Sequence, residues 1–160
     1  TIRKFSRQRF QIFHFAGHGF VDELMPSRSA LLFSQTQDPE DDGILLAREL
    51  HDLQLKANLV ILSACETAMG TLEQTEGVLG LTRIFFYAGA RSVLSTLWAI
   101  GDRSTVVFMK VFYQYLSTGI SKAQALRQTK IKIKRSAYPH PYYWSQFVLS
   151  GEPDSSINMK

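Results

Sequence analysis

Two residues that can act together as a nucleophile and a base follow apolar runs of this sequence. His18 comes directly after the run at 9–17, and Cys65, the one cysteine of the chain, comes directly after the run at 58–64. A free thiol with a pKa of about 8.5 is only slightly ionised at neutral pH, and a neighbouring imidazole can take its proton. The pair therefore predicts nucleophilic thiol chemistry, provided that the fold brings the two side chains together.

The surroundings of the pair fit such chemistry. The separation, 65 − 18 = 47 residues, is close to the roughly 50 residues typical of the caspase arrangement. Gly17 and Gly19 flank the histidine and are expected to leave room for a substrate backbone. The backbone N–H groups of Gly19 and Cys65 are candidates for an oxyanion hole. The alternative for a lone cysteine after an apolar strand is a small buried core residue.

Other polar residues carry weaker predictions. Glu66, Glu76 and Asp102 lie near the same predicted edge and are candidates for a pocket that binds a basic side chain; the alternative is that Asp102 caps a helix and Glu76 belongs to a loop. His14 is expected to be a hydrogen-bonded core histidine rather than a ligand. The four histidines lack metal-ligand spacing, and the predicted chemistry requires no metal or cofactor.

The elements that must position these residues alternate between strand and helix. Apolar runs predict strands at 9–17, 30–34, 58–64 and 91–98 and a short aromatic strand within 140–153, whereas helical spacing or caps predict helices at 44–55, 77–90, 102–116 and 121–135. Residues 18–29, 35–43 and 65–77 are expected to be loops. This alternation predicts an α/β fold with a mostly parallel sheet and helices on both faces. Functional groups of such sheets gather at the carboxyl ends of the strands.

Length and composition indicate one ordinary globular domain. The chain has 160 residues, of which 45% are hydrophobic and 20% charged, and it has no apolar run of the roughly 18–20 residues that span a bilayer. It begins without Met or a signal-peptide pattern, and we expect a processed piece of a longer protein. A single cysteine favours a reducing compartment, and the predicted location is cytoplasmic. Residues 154–160 are expected to be a frayed tail.

Positive charge is concentrated on one predicted helix. The net charge is +4, and residues 122–135 contain six basic side chains and no acidic one. No aromatic residue lies in this segment to stack on bases, so nucleic-acid binding is not expected. The prediction is a solvated face or a docking surface for an acidic partner.

Five segments resemble one known family and occur in its order. They are IFHFAGHGFVD, ANLVILSACETAMG, EGVLGLTRIFFYAGARSVLSTLW, SKAQALRQ and HPYYWSQFVLSGEP. Together they resemble the bacterial CHAT domain, a caspase-like cysteine peptidase family that is related to separase and the caspases and often follows TPR repeats. Two features depart from the family pattern. Gly17 stands where a Thr or Ser is usual. A β–α–β segment usually precedes the His-bearing strand, whereas only a short segment precedes it in this sequence.

The resemblance implies a fold, a site and a function. The fold would be a caspase-like three-layer sandwich, formed by one domain over residues 1–153 that lacks an N-terminal part. The function would be that of a cysteine endopeptidase with Cys65 as nucleophile and His18 as general base. Its implied partners are a protein substrate and either TPR repeats in the same parent chain or a regulatory partner. One alternative is a catalytically silent adaptor module, and another is a nucleotide- or nucleic-acid-binding α/β domain; membrane association is not expected.

Overall fold

A computed structural model describes residues 9–20, 22, 25–34, 42–63, 74–99 and 101–158. Its strands and helices follow one another along the chain, with single 3-10 turns at Pro26–Arg28 and Pro141–Tyr143. In chain order they are β1 (Arg9–Phe15), β2 (His18–Phe20), β3 (Ala30–Leu32), β4 (Ile44–Leu46), α1 (Ala47–Asp52), β5 (Lys56–Leu62), α2 (Gln74–Tyr87), β6 (Ser92–Thr96), α3 (Asp102–Leu116), α4 (Lys122–Lys134) and β7 (Phe147–Gly151). None of these described helices is long and apolar enough to cross a membrane.

The main sheet has the strand order β1-β5-β6-β7 in the described part of the chain. β1, β5 and β6 are parallel, and β7 runs antiparallel to β6. The apolar sequence of β5 explains its central place, since a strand covered on both faces needs hydrophobic side chains on both. Leu59, Val60 and Ile61 are all fully buried. The predicted α/β sandwich with a mostly parallel sheet is therefore confirmed.

Alternate residues of β5 supply two separate cores, one on each face of the sheet. Val60 and Leu62 pack with Leu81 and Phe85 of α2 in the first core. Leu59 and Ile61 pack in the second core, which is formed mainly by α3 and α4 and includes the stacked rings of Phe108 and Phe147, 3.6 Å apart. The sheet is thus the middle layer of three, with α1 and α2 on one side and α3 and α4 on the other.

A small antiparallel sheet, β2-β3-β4, follows the first strand and was not predicted. The sequence pattern predicted a loop from residue 18 and a helix over 44–55, but residues 44–46 form β4 and the helix covers only Ala47–Asp52. The reason is non-local, because Ile44–Leu46 pairs with Ala30–Leu32. Glu49 then accepts a hydrogen bond from the Leu46 N–H at 3.0 Å and so marks the start of α1.

The starts of α3 and α4 were predicted to within one residue, whereas α1 begins three residues after its predicted start and α2 three residues before it. Ser121 caps α4 as expected, with its side chain accepting from the Gln124 N–H at 3.3 Å. The residue that caps α3 is Gly101 rather than Asp102, since the Ser104 side chain and backbone both donate to the Gly101 carbonyl. Asp102 is instead the first helical residue, where a carboxylate interacts favourably with the positive end of the helix dipole.

One cation of α4 is not part of a solvated face. Lys122 is 0% exposed, and its Nζ donates to the Ser92 Oγ at 2.6 Å and to the Asn58 carbonyl at 3.2 Å. Burial lowers the pKa of Lys122, and the nearby charge of Glu152 opposes that shift. Lys122 therefore ties the start of α4 to β5 and β6 from inside the fold.

The segment after β7 was expected to fray, and the structure describes it as far as Asn158. Ile157 is 2% exposed and belongs to the second core, while Ser156 forms a β-bridge with Ser121. Residues 154–158 therefore pack on the domain, which departs from the expected frayed tail.

We expect Gly151→Ala to destabilise the fold strongly. Gly151 has φ +94°, and a Cβ there would meet the Arg91 carbonyl oxygen and lie 2.8 Å from Phe86 Cε1. Gly119→Ala is the matched control, because Gly119 has φ +81° but open space around it. Positive φ alone costs an alanine roughly 1–2 kcal/mol, and the steric conflict at Gly151 should add about 1–3 kcal/mol. Urea unfolding of both variants measures the difference; equal midpoints would contradict this packing.

Candidate functional site

The site predicted from sequence depends on the pairing of β1 with β5. These strands are parallel neighbours, with Phe15 in register with Leu62. The Ser63 N–H donates to the Phe15 carbonyl at 2.9 Å, so the hydrogen bonding between the two chain segments continues to the point where both strands end. The carboxyl ends of the two strands therefore lie side by side at one edge of the sheet, as the sequence predicts.

His18 leaves this edge and begins the small sheet. It follows Phe15 by three positions (18 − 15), is exposed, and pairs with Leu32. Cys65 follows Leu62 by the same three positions (65 − 62) but lies outside the described residues, as does Glu66. The structure therefore positions His18 and the strand that precedes Cys65, while the position of the thiol stays a prediction.

The two glycines beside His18 have structural surroundings of their own. A Cβ on Gly17 would lie 2.9 Å from Phe15 Cζ and 3.5 Å from the Leu32 carbonyl oxygen. Its missing side chain thus makes room for the Phe15 ring, whose centroid is 5.0 Å from that of Phe33; the expected room for substrate is not found on this side. Gly19 is buried and pairs with Leu31.

The two acidic candidates that the structure describes lie on different helices. Glu76 lies within α2 rather than in a loop, and its side chain is not among the parts that the structure describes. Asp102 is exposed at the start of α3, in the connection that leaves the carboxyl end of β6. Because β6 is the neighbour of β5, Asp102 starts from the same edge of the sheet as the catalytic candidates. Their role in a basic-side-chain pocket stays a prediction.

A hydrogen-bond chain missed by the sequence analysis links β1, β5 and α3. His14 Nε2 lies 3.1 Å from Ser63 Oγ, and His14 Nδ1 lies 2.8 Å from the Tyr113 hydroxyl. The register explains the first contact: His14 pairs with Ile61, and Ser63 follows Ile61 by two residues, which puts both side chains on one face. His14 is hydrogen-bonded as expected, but it is exposed rather than part of a core. We call these three residues the strand-end triad.

Partial desolvation favours the neutral forms of His14 and Tyr113 in the strand-end triad. Although His14 is exposed by surface area, its ring packs against Tyr113, and this partial desolvation lowers the pKa of His14. Desolvation also raises the pKa of Tyr113. A neutral imidazole has one N–H donor and one lone pair, so either tautomer completes an unbroken chain through the two hydroxyl groups.

The small sheet presents an apolar face around His18. The register places His18, Leu32 and Ile44 side by side on three neighbouring strands. Leu32 is 42% exposed and Ile44 44%, whereas the alternate residues Leu31 and Leu45 are buried on the opposite face. Phe20 continues the exposed face two residues after His18 and is 54% exposed. We call Phe20, Leu32 and Ile44 the apolar face.

These groups define what the site can do chemically. His18 provides an accessible acid–base group, and the apolar face provides a surface for side chains of an extended peptide. Among the residues that the structure describes, no group of three or more His, Cys, Asp or Glu side chains has the arrangement of a metal site.

Comparison with known sequences supplies the family. The family model described as "CHAT domain" matches residues 1–152. Among curated proteins, mouse tetratricopeptide repeat protein 28 is 35% identical over 121 residues, and its human counterpart is 33% identical over 121 residues. The match covers 75% of this chain but only 5% of either relative, so the chain corresponds to a small part of those proteins.

Comparison with solved structures supports the fold. A chain in the crystal structure of the Saccharomyces cerevisiae separase–securin complex superposes with a TM-score of 0.59 at 15% identity. The superposition covers 97% of this chain and 9% of that chain. At this identity the likeness concerns the fold alone, and it agrees with the caspase-like sandwich expected from the sequence.

The strand-end triad predicts a loss of stability in acid. The ordinary pKa of His is 6.5, and the pKa of His14 lies lower in the folded chain. As the pH falls, His14 is therefore protonated in the unfolded chain before it is protonated in the folded chain. The contribution of neutral His14 to the free energy of unfolding is fully present above pH 6.5 and is lost as the pH falls toward the folded pKa. His14→Gln should show a smaller decrease in the free energy of unfolding between pH 7.5 and about pH 5.

Urea unfolding at several pH values measures this difference. Tyr113→Phe is the matched control, since it removes one hydroxyl but keeps the ring that buries His14. It should lower stability by about 1 kcal/mol at every pH and keep the acid dependence. Superimposable pH profiles for wild type and His14→Gln would contradict the assignment.

Proposed function

The chain belongs to the CHAT domain family, and on that premise we propose that it is a cysteine endopeptidase domain with Cys65 as nucleophile and His18 as general base. The observation that carries this proposal is the register of β1 with β5. Phe15 and Leu62 are partners across the two strands, and His18 and Cys65 each follow by three residues.

Chain geometry supports an approach of the two side chains. Neighbouring strands lie about 4.8 Å apart, and three extended residues span at most roughly 10 Å. The segments that lead from Phe15 to His18 and from Leu62 to Cys65 therefore begin at adjacent points and are too short to separate the two residues widely. Distances of about 3 Å between thiol and imidazole, needed for proton transfer, lie within that reach.

The proposed mechanism uses only groups of this chain. The Cys65 thiol gives its proton to the His18 imidazole, and the resulting thiolate attacks the carbonyl carbon of the scissile peptide bond. The N–H groups of Gly19 and Cys65 donate to the oxyanion. The His18 imidazolium then protonates the leaving amine, and a water molecule, deprotonated by His18, hydrolyses the thioester and regenerates the thiol. No metal or cofactor takes part in these steps.

The apolar face supports a preference among protein substrates. A chain crossing from His18 toward Ile44 passes two strand spacings, about 10 Å, which corresponds to roughly three extended residues. We propose that apolar side chains two or three positions from the scissile bond contact Leu32 and Ile44. Glu66, Glu76 and Asp102 are proposed as the source of negative charge for a basic side chain next to that bond.

The setting of the domain is proposed from its relatives. Proteins named for tetratricopeptide repeats contain a matching segment, and we propose that this domain too is attached to such repeats or regulated by a partner module. The proposed location is the cytoplasm, where the lone cysteine would stay reduced.

The competing function is a catalytically silent interaction module. It shares the fold but requires no communication between His18 and Cys65. Thiol reactivity separates the two functions without knowledge of a substrate.

We expect alkylation of the chain to depend on both residues. An unassisted thiol reacts with a rate that rises around pH 8–9, whereas an imidazole-assisted thiol reacts at about pH 6–7. His18→Ala should therefore move the profile of rate against pH to higher pH, and Cys65→Ala should abolish labelling because the chain has no other cysteine. Intact mass after timed exposure to iodoacetamide measures the rates.

The control for this experiment is His140→Ala, which removes an exposed imidazole remote in sequence from both residues. It should leave the profile unchanged. Identical profiles for wild type and His18→Ala would remove the dyad and favour the silent interaction module.

The apolar face predicts a specific kinetic effect. Leu32→Ser and Ile44→Ser should each raise KM for a peptide with apolar residues near the cleaved bond by about fivefold or more, because roughly 1–2 kcal/mol of apolar burial is lost. kcat should stay nearly constant, since neither residue takes part in the chemistry. Val106→Ser, an equally exposed apolar residue on α3 (50% exposed), is the matched control; an equal effect there would reject the assigned surface.

A further inference from the structure

In the part of the chain that the structure describes, β7 forms the edge of the main sheet opposite β1. The Leu97 N–H donates to the Gln146 carbonyl at 3.1 Å, and the Glu152 N–H donates to the Arg91 carbonyl at 3.0 Å. Because hydrogen-bonded pairs alternate along an antiparallel ladder, residues 146, 148, 150 and 152 direct their backbone groups toward β6. Residues 147, 149 and 151 direct theirs away from the sheet.

The outward backbone groups of β7 are available for another strand. Leu149 is the middle residue of the outward set, and its N–H and C=O have no partner among the residues that the structure describes. Exposed edges of this kind pair readily with an added strand. No proline, bulge or inward-pointing charge interrupts Phe147–Gly151.

An open groove of about 630 Å³ runs beside this edge, between β7 and α4. Phe147 and Leu149 line it from the strand, and Ala123, Leu126 and Ile131 line it from the helix. Its surface is thus largely apolar, with spacing that suits alternate side chains of an extended segment.

The polar part of the groove is entirely cationic. Arg127 and Lys130 are its charged lining residues. Arg127 is exposed, whereas Lys130 is half-buried with its Nζ 3.4 Å from the Ser145 carbonyl, a long contact with a neutral acceptor. Desolvation lowers the pKa of Lys130, so an incoming carboxylate would stabilise its charged form. α4 contains no acidic residue that would compete.

We propose that the β7–α4 groove docks an extended acidic segment of a partner protein, which adds as a strand to β7 and pairs its carboxylates with Arg127 and Lys130. Backbone hydrogen bonds to Leu149 fix the register of the added strand. Its alternate side chains divide between the apolar floor and the cationic rim.

The charges argue against a second copy of this chain as the occupant. Antiparallel pairing of β7 with its own copy about a twofold axis normal to the sheet leaves both α4 helices on one face, next to each other. Arg127 and Lys130 of one copy would then face the same cations of the other, which is unfavourable. An acidic segment has the complementary charge.

The experiment uses fluorescence anisotropy with two short fluorescein-labelled peptides, one of alternating valine and glutamate and one of alternating valine and lysine. The chain should bind the glutamate peptide and not the lysine peptide. Arg127→Glu should weaken binding of the glutamate peptide by about fivefold or more, the scale of one exposed ion pair that is lost and replaced by repulsion. Lys132→Glu is the matched control: Lys132 lies over the Tyr115 ring at 5.9 Å, outside the groove lining, and should change binding less than about twofold.

A second pair of variants tests strand addition. Leu149→Pro removes the outward N–H but no hydrogen bond to β6, and proline is accepted on an edge strand in this orientation; it should abolish binding, while Leu149→Val keeps it. Should Leu149→Pro prove unstable, N-methylation of the peptide backbone removes the same hydrogen bonds from the ligand side. Equal affinity for both peptides, undiminished binding by Leu149→Pro or by the N-methylated peptide, or a β7-dependent dimer in sedimentation velocity would overturn the proposal.

Discussion

The parallel hydrogen bonding of β1 to β5 is the constraint on which the rest of the structure depends. It aligns Phe15 with Leu62, and from that alignment follow the neighbouring ends of the strands and the contact between His14 and Ser63. It also explains why β5 must be apolar on both faces, since a central strand meets a helical layer on each side. A shift of one residue in this pairing would turn every side chain of β1 to the opposite face. The positions of His18 and of the strand that precedes Cys65 are therefore a consequence of core packing rather than of contacts within the site.

The sequence predicted the parts of the fold that rest on local patterns. The run at 58–64 predicted a buried strand because Leu59–Leu62 are consecutive apolar residues. Ser121 predicted the start of α4 because its side chain caps the helix locally. The helix over 44–55 was partly wrong for the opposite reason. Ile44–Leu46 is a strand only through its pairing with Ala30–Leu32, and no local pattern reveals a partner that lies about fourteen residues earlier in the chain.

Only part of the candidate site was predictable from the sequence. His18 and Cys65 each follow an apolar run that forms a strand, so the topology of an α/β sheet was enough to bring these strands together. The strand-end triad was not predictable, because Tyr113 comes from a helix 99 residues after His14, and only the docking of α3 on the sheet determines that contact. Lys122 was not predictable from the charge pattern either. A lysine within a basic run is expected to be solvated, but the fold buries Lys122 and provides Ser92 and Asn58 as hydrogen-bond acceptors. A register and a helix docking angle are collective properties of the core, whereas a cap or an apolar run belongs to a few adjacent residues.

The ring of Phe15 occupies the space that a side chain at position 17 would need, so the residues that the two positions can accept depend on each other. A Cβ at position 17 would lie 2.9 Å from the end of the Phe15 ring, so a larger residue there requires the ring to move or a smaller residue at position 15 to come first. In the reverse order, loss of the ring with Gly17 kept would leave a cavity beside Phe33. The effects of substitutions at the two sites are therefore expected to be non-additive, since a hydroxyl-bearing residue at position 17 requires either movement of the Phe15 ring or a smaller residue at position 15. The segment that leads into His18 is consequently constrained as a pair of residues and not as two independent choices.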